Sequence, residues 1–96
     1  MKIDFTKIDG NLNVILDGRL DTITAPELDD FLSSNLNGIN ELTINCEKLE
    51  YVSSAGLRVL LAVHKKMKGA LKLISVQEAV MEVFEITGFA DILEIE

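Results

Sequence analysis

The sequence predicts a single α/β domain over residues 1–96, with a mixed β-sheet entered through an antiparallel hairpin and continued by helices that follow strands, in the order β-β-α-β-α-β-α-β. Three observations lead there. Asp9-Gly10 separates two short apolar runs, a hairpin signal because both residues tolerate positive φ. Downstream, stretches of helical periodicity alternate with short strand-like runs, which favours parallel neighbours covered by helices. At 96 residues and 48% apolar content the chain can bury one core and not two.

The elements follow in order. KIDFTKI (2–8) and NLNVILDG (11–18) form the hairpin. Thr24 to Glu27 is a capping-box pattern, with Pro26 in the first turn; Leu28, Phe31, Leu32 and Leu36 then fall at helical spacing until Gly38. In ELTINCEKL (41–49), Leu42, Ile44 and Cys46 alternate with polar residues as in a strand. A helix is predicted over SAGLRVLLAVHKKMKG (54–69), a strand over ALKLISV (70–76), a helix over QEAVMEVFEITG (77–88) and a last short strand over DILEI (91–95). In the third helix, Val80, Val83, Phe84 and Thr87 share one face and Glu78, Glu82 and Glu85 the other.

Charge and composition exclude several function classes. The formal charge of -7 opposes nucleic-acid binding, which needs Lys/Arg patches to displace counterions from phosphates, and equally an anionic membrane surface. Lys65, Lys66, Lys68 and Lys72 read as a solvated helix end. One cysteine, Cys46, allows no disulfide framework or cysteine-built metal cluster and is expected as a small buried apolar residue. No stretch approaches the ~20 apolar residues of a membrane span, and MKIDFTKIDG lacks the apolar core of a signal peptide. A cytoplasmic protein with no cofactor, no metal and no membrane insertion is the expectation.

The stretch YVSSAGLRVLL (51–61) carries the functional question. At 100° per residue, Gly56, Val59, Leu60, Val63 and Met67 make a core face, leaving Leu57 and Leu61 on a stripe with Ser54, Arg58 and Lys65. Either the two leucines pack under a neighbouring helix, or they anchor a docking face rimmed by Arg58 and Lys65. Ser53 and Ser54 sit where a helix leaves backbone N–H groups unpaired, so a serine oxygen can cap it; Ser54 can do so and still be exposed. Phosphate at that spot would also be tolerated, since the helix start favours negative charge. Gly56, lacking a Cβ, permits close approach of another backbone, either a partner's or the sheet's. An enzyme using Ser54 as nucleophile is disfavoured: His64, the only histidine, lies ten residues along the same helix, roughly 15 Å away and too far to act as its base.

Taken together, YVSSAGLRVLL with the preceding LTINCEKL, the upstream LDGRLDTITAPEL and the downstream LKLISVQEAVMEVFEITGF resemble the STAS domain family, particularly bacterial anti-sigma-factor antagonists, over nearly the whole chain. The resemblance implies a partner-switch regulator of transcription. Such proteins sequester an anti-sigma factor that is also a serine kinase; phosphorylation of a serine at the start of the second helix ends binding, and a PP2C-type phosphatase resets the cycle. Carried over by position, the acceptor is Ser54, with Ser53 the second choice. Ser53 stands where family members often have Asp. Asp21 falls on the family's aspartate after the second strand. Together with the helical stripe and Gly56 read above, the expected partner surface comprises Asp21, Ser53, Ser54, Gly56, Leu57, Arg58, Leu61 and Lys65. A second reading keeps the fold without the phosphate, as an adaptor subunit of a transporter or sensory complex.

Overall fold

The computed structural model describes residues 1–96. Two strands, β1 (Lys2–Ile8) and β2 (Asn11–Leu20), pair antiparallel from Lys2↔Asp17 to Ile8↔Asn11. They are joined by Asp9 and Gly10 at φ 49° and 83°, the primed-turn geometry that the Asp-Gly pair predicts. The chain then alternates helix and strand: α1 (Ala25–Asn35), β3 (Glu41–Val52), α2 (Ser54–Lys66), β4 (Leu71–Ile74), α3 (Glu78–Thr87), a short 3-10 turn (Phe89–Asp91) and β5 (Glu94–Ile95). The sheet order is β1-β2-β3-β4-β5, with every pair after the first parallel.

Period-two alternation decides the layering. Leu12, Val14, Leu16 and Leu20 of β2, Leu42, Ile44 and Cys46 of β3, and Leu71 and Leu73 of β4 are all buried on one face. The intervening Asn13, Ile15 and Asp17 face solvent. Three successive crossovers in one direction place their helices on one side of a sheet. Their apolar stripes meet the buried face through Leu28 and Leu32 from α1, with Leu36 just past its end, Leu57, Leu60 and Val63 from α2, and Val80 and Phe84 from α3. Phe31 of α1 reaches the edge strand, its ring edge-on to Phe5 with centroids 5.0 Å apart. Gly88, at φ 82°, closes α3 in the left-handed conformation that glycine adopts without steric cost.

Three details of the fold differ from the sequence expectation. Strand β3 runs to Val52, three residues past the predicted end, because it carries one extra residue between Asn45 and Lys48 and another between Leu49 and Tyr51 relative to β2. These bulges break the alternation, so Cys46, Leu49 and Val52 are buried at intervals of three. The capping box at Thr24–Glu27 does not form: Thr24 is buried, and its hydroxyl points back to β2, donating to the Arg19 carbonyl at 2.7 Å and accepting from the Asp21 amide at 2.8 Å. The third-helix face is also narrower than predicted, since Thr87 is exposed and its hydroxyl returns to the Val83 carbonyl at 2.7 Å.

Candidate functional site at the start of the second helix

Parallel sheets expose their functional loops at the carboxyl ends of strands, and here the ends of β2 and β3 are tied together. The Ser53 amide donates to the Leu20 carbonyl at 2.9 Å, bringing the start of α2 against the β2–α1 loop. Gly56 is buried in this joint. A Cβ built on it would lie 2.7 Å from Leu20 Cγ and 3.0 Å from the Leu20 carbonyl oxygen. The close approach that Gly56 permits is therefore to its own sheet.

The two serines divide the roles at the helix start, and the division corrects the expectation that Ser54 caps. Ser53, with extended φ/ψ of -98°/175°, is the N-cap; its half-buried hydroxyl accepts from the Gly56 amide at 3.3 Å, and its carbonyl accepts the Leu57 amide at 2.9 Å. Ser54 is the first helical residue and is exposed. Ser53 thus takes the capping role, and Ser54 beside it is left exposed to solvent.

Leu57 is the second correction. Only 6% exposed, it belongs to the core with Leu60 and Val63, so it packs beneath the helix rather than on a docking stripe. Leu61 is half-buried. Outward-facing on α2 are Ser54, Arg58, Ala62 and Lys65. Lys65 and Lys66, with His64, occupy the last turn, where positive charge offsets the unpaired carbonyls, as expected of a solvated helix end. Lys72, in contrast, lies on β4 and pairs with Glu96 at 3.3 Å. His64 sits three turns from Ser54 on the same helix, which leaves Ser54 with no histidine base.

Asp21 organises the loop beside the serines. One carboxylate oxygen accepts from the amides of Ile23 and Thr24, each at 3.0 Å. The carboxyl is held below the ordinary aspartate range, chiefly by the Thr24 amide; partial desolvation opposes the lowering, and the Ile23 amide, the Thr24 hydroxyl and the Arg19 charge reinforce it. Asp21 therefore shapes the loop through one of its carboxylate oxygens.

The fixed loop presents Ile23 at 82% exposure, a residue sequence reasoning missed because nothing in DTIT distinguishes a buried isoleucine from a displayed one. Also missed was the pairing of Arg19 with Tyr51, whose guanidinium lies 4.2 Å from the ring centroid. These residues are opposite each other only because of the β3 bulges. Away from this region, burial pushes the Cys46 thiol up to about 12, and the chain has no cluster of three or more metal-ligating side chains. No helix is long and apolar enough to cross a membrane.

The STAS domain family model matches residues 2–96. The chain belongs to the STAS domain family. Among relatives, it is 37% identical to Bordetella bronchiseptica BtrV, a protein provisionally named an anti-sigma factor antagonist, over 99% of this chain and 85% of that one. It is 28% identical to the anti-sigma-B factor antagonist of Staphylococcus aureus, over 99% of this STAS chain and 92% of the relative. Among solved structures, it superposes on an anti-sigma factor antagonist from Mycobacterium paratuberculosis with a TM-score of 0.86 at 22% identity, covering 98% and 83% of the two chains. The phosphorylated form of the Bacillus cell fate determinant SpoIIAA matches with a TM-score of 0.75 at 15% identity, covering 99% and 91%. The mixed sheet with an antiparallel hairpin and strand-following helices is thus the STAS fold, as the sequence predicts.

Proposed function

We propose that this STAS domain is an anti-sigma factor antagonist: it sequesters an anti-sigma factor serine kinase and is released by phosphorylation of Ser54. The observation that carries the proposal is the exposed hydroxyl of Ser54 at the first position of α2, beside a neighbour whose own hydroxyl is engaged as the cap. Support also comes from two relatives that bear the antagonist name across nearly the whole length of this chain. The partner surface is the β2–α1 loop shaped by Asp21 and displaying Ile23, together with Ser54, Arg58, Leu61 and Lys65 along α2, with Ser53 behind them. In the kinase complex, Ser54 Oγ attacks the γ-phosphorus of ATP; the new P–O bond forms as the bond to ADP breaks, and the serine proton passes to a base of the kinase.

Two changes at Ser54 then end binding. A phosphoserine carries roughly -1.5 to -2 charges and three strongly hydrated oxygens, and in a close interface such a group must either be paired or keep its water. Helix α2 itself tolerates the charge, because its first turn holds no acidic residue and negative charge is favourable there. The domain consequently stays folded while the surface changes. A PP2C-type phosphatase hydrolyses the ester and restores the hydroxyl. The test is calorimetric titration of the protein, its Ser54→Asp variant and its Ser54→Ala variant into the ATP-binding anti-sigma factor of its own genome. Tight binding of the parent and the alanine variant, with at least tenfold weaker binding of the aspartate variant, supports the reading; equal affinity of all three, or no binding by any, counts against it.

A further inference from the structure

We propose that a phosphate on Ser54 is held by Arg58 of the same helix, so that phosphorylation also withdraws Arg58 from the partner surface; the inference rests on Ser54 being the acceptor. Arg58 is exposed, and α2 contains no aspartate or glutamate to occupy it. The two ion pairs of the molecule, Lys2–Asp4 and Lys72–Glu96, lie elsewhere. Its guanidinium is therefore uncommitted in the unmodified protein.

Helical geometry makes Ser54 its natural neighbour. Residues four apart lie one above the other on a helix, and long side chains lean toward the N-terminal turn, so Arg58 covers the turn that begins at Ser54. An anion at the N-terminal member of such a pair is the favourable orientation. The guanidinium fork also matches two phosphate oxygens at once, which a lysine cannot do.

Of the other charged groups of the proposed surface and its loop, two are engaged and one is distant. Arg19 is stacked on Tyr51. Asp21 accepts the Ile23 and Thr24 amides. Lys65 lies about two turns beyond Arg58 along α2. The switch thus changes two features together: a dianion appears where a hydroxyl stood, and a cation that faced outward turns onto it. A partner carboxylate that met Arg58 before modification loses its counter-charge and meets a phosphate.

The test uses full-length protein with phosphoserine incorporated at position 54 during translation, followed by 31P NMR through the second ionisation of the phosphate, which in a free phosphoserine falls near pH 6. Pairing with Arg58 strengthens this acid about two- to threefold relative to the same protein carrying Arg58→Gln, and Arg19→Gln leaves it unchanged. Identical titration of the parent and the Arg58→Gln form overturns the proposal, as does a shift abolished by Arg19→Gln alone. Because the phosphate is built in, this result is independent of any kinase. A kinase that leaves Ser54 unmodified refutes the acceptor assignment separately.

Discussion

Replacing Gly56 by alanine tests the joint that holds the site together. The new methyl carbon would lie 2.7 Å from Leu20 Cγ, 3.0 Å from Leu20 Cδ2 and 3.0 Å from the Leu20 carbonyl oxygen. Leu20 is 0% exposed, so its branch carbon cannot swing aside into solvent. Its carbonyl is also fixed, because it accepts the Ser53 amide at 2.9 Å. Overpacking of this kind costs about 1–3 kcal/mol, and contact with a branch carbon and a backbone oxygen puts Gly56→Ala in the upper half of that range. Against this, alanine gains about 1 kcal/mol of helix propensity over glycine. The net expectation is a loss of about 1–2 kcal/mol, or roughly 5–15 °C in melting temperature for a domain of this size. Urea unfolding followed by circular dichroism measures it, with an unchanged m-value showing that the denatured state is unaffected. A variant as stable as the parent would refute the reasoning, since helix propensity would then have outweighed a contact that does not exist.

Three further outcomes follow from the geometry. Ser53→Ala removes the cap of α2 and should cost about 1 kcal/mol in the same urea assay, while leaving the Ser54 hydroxyl exposed. The lowered Asp21 ionisation means that its contribution to stability is fully present above the ordinary aspartate range and is lost as pH falls through the folded-state value. Asp21→Asn should therefore have a flatter stability profile on the acid side than the parent, as read by thermal melts from neutral pH downward. Cys46 is 1% exposed and its thiol is pushed up to about 12, so it should resist iodoacetamide in the folded protein and react at once in urea; rapid labelling under native conditions would contradict its placement in the core.

Much of the fold was legible because local signals agreed with the global answer. The Asp9-Gly10 turn and the clean alternation in β2 set the hairpin, and each helix was marked by apolar spacing and a terminating glycine. What failed has specific physical causes. The end of β3 was hidden because two bulges turn its period from two to three, a pattern that resembles neither strand nor helix. The capping box misled because Thr24 has a better use: its hydroxyl completes the end of β2, and the Asp21 carboxylate takes the amides of the turn before α1.

The site was readable to the same depth. Ser53, Ser54 and Asp21 are neighbours, as the sequence motif suggests, because the Ser53 amide bonds to the carbonyl of Leu20. Leu57 was misplaced because a helical wheel gives spacing without fixing how the helix is rotated on the sheet. The buried arc of α2 runs from Val63 through Leu60 to Leu57, while Val59 is only half-buried, so the arc reaches further toward Leu57 than the expected face does. Arg19 on Tyr51 and the displayed Ile23 had no sequence signal, since one depends on bulged register and the other on a hydrogen-bonded turn.

The central claim is that Ser54, and not its capping neighbour, receives phosphate from the partner kinase. Incubating the parent, Ser53→Ala and Ser54→Ala proteins with the anti-sigma kinase and ATP, then mapping phosphopeptides by mass spectrometry, tests it most directly. One phosphate on Ser54 in the parent and in Ser53→Ala, with none in Ser54→Ala, is the predicted result. A phosphate that maps to Ser53, or that persists when Ser54 is alanine, would contradict it.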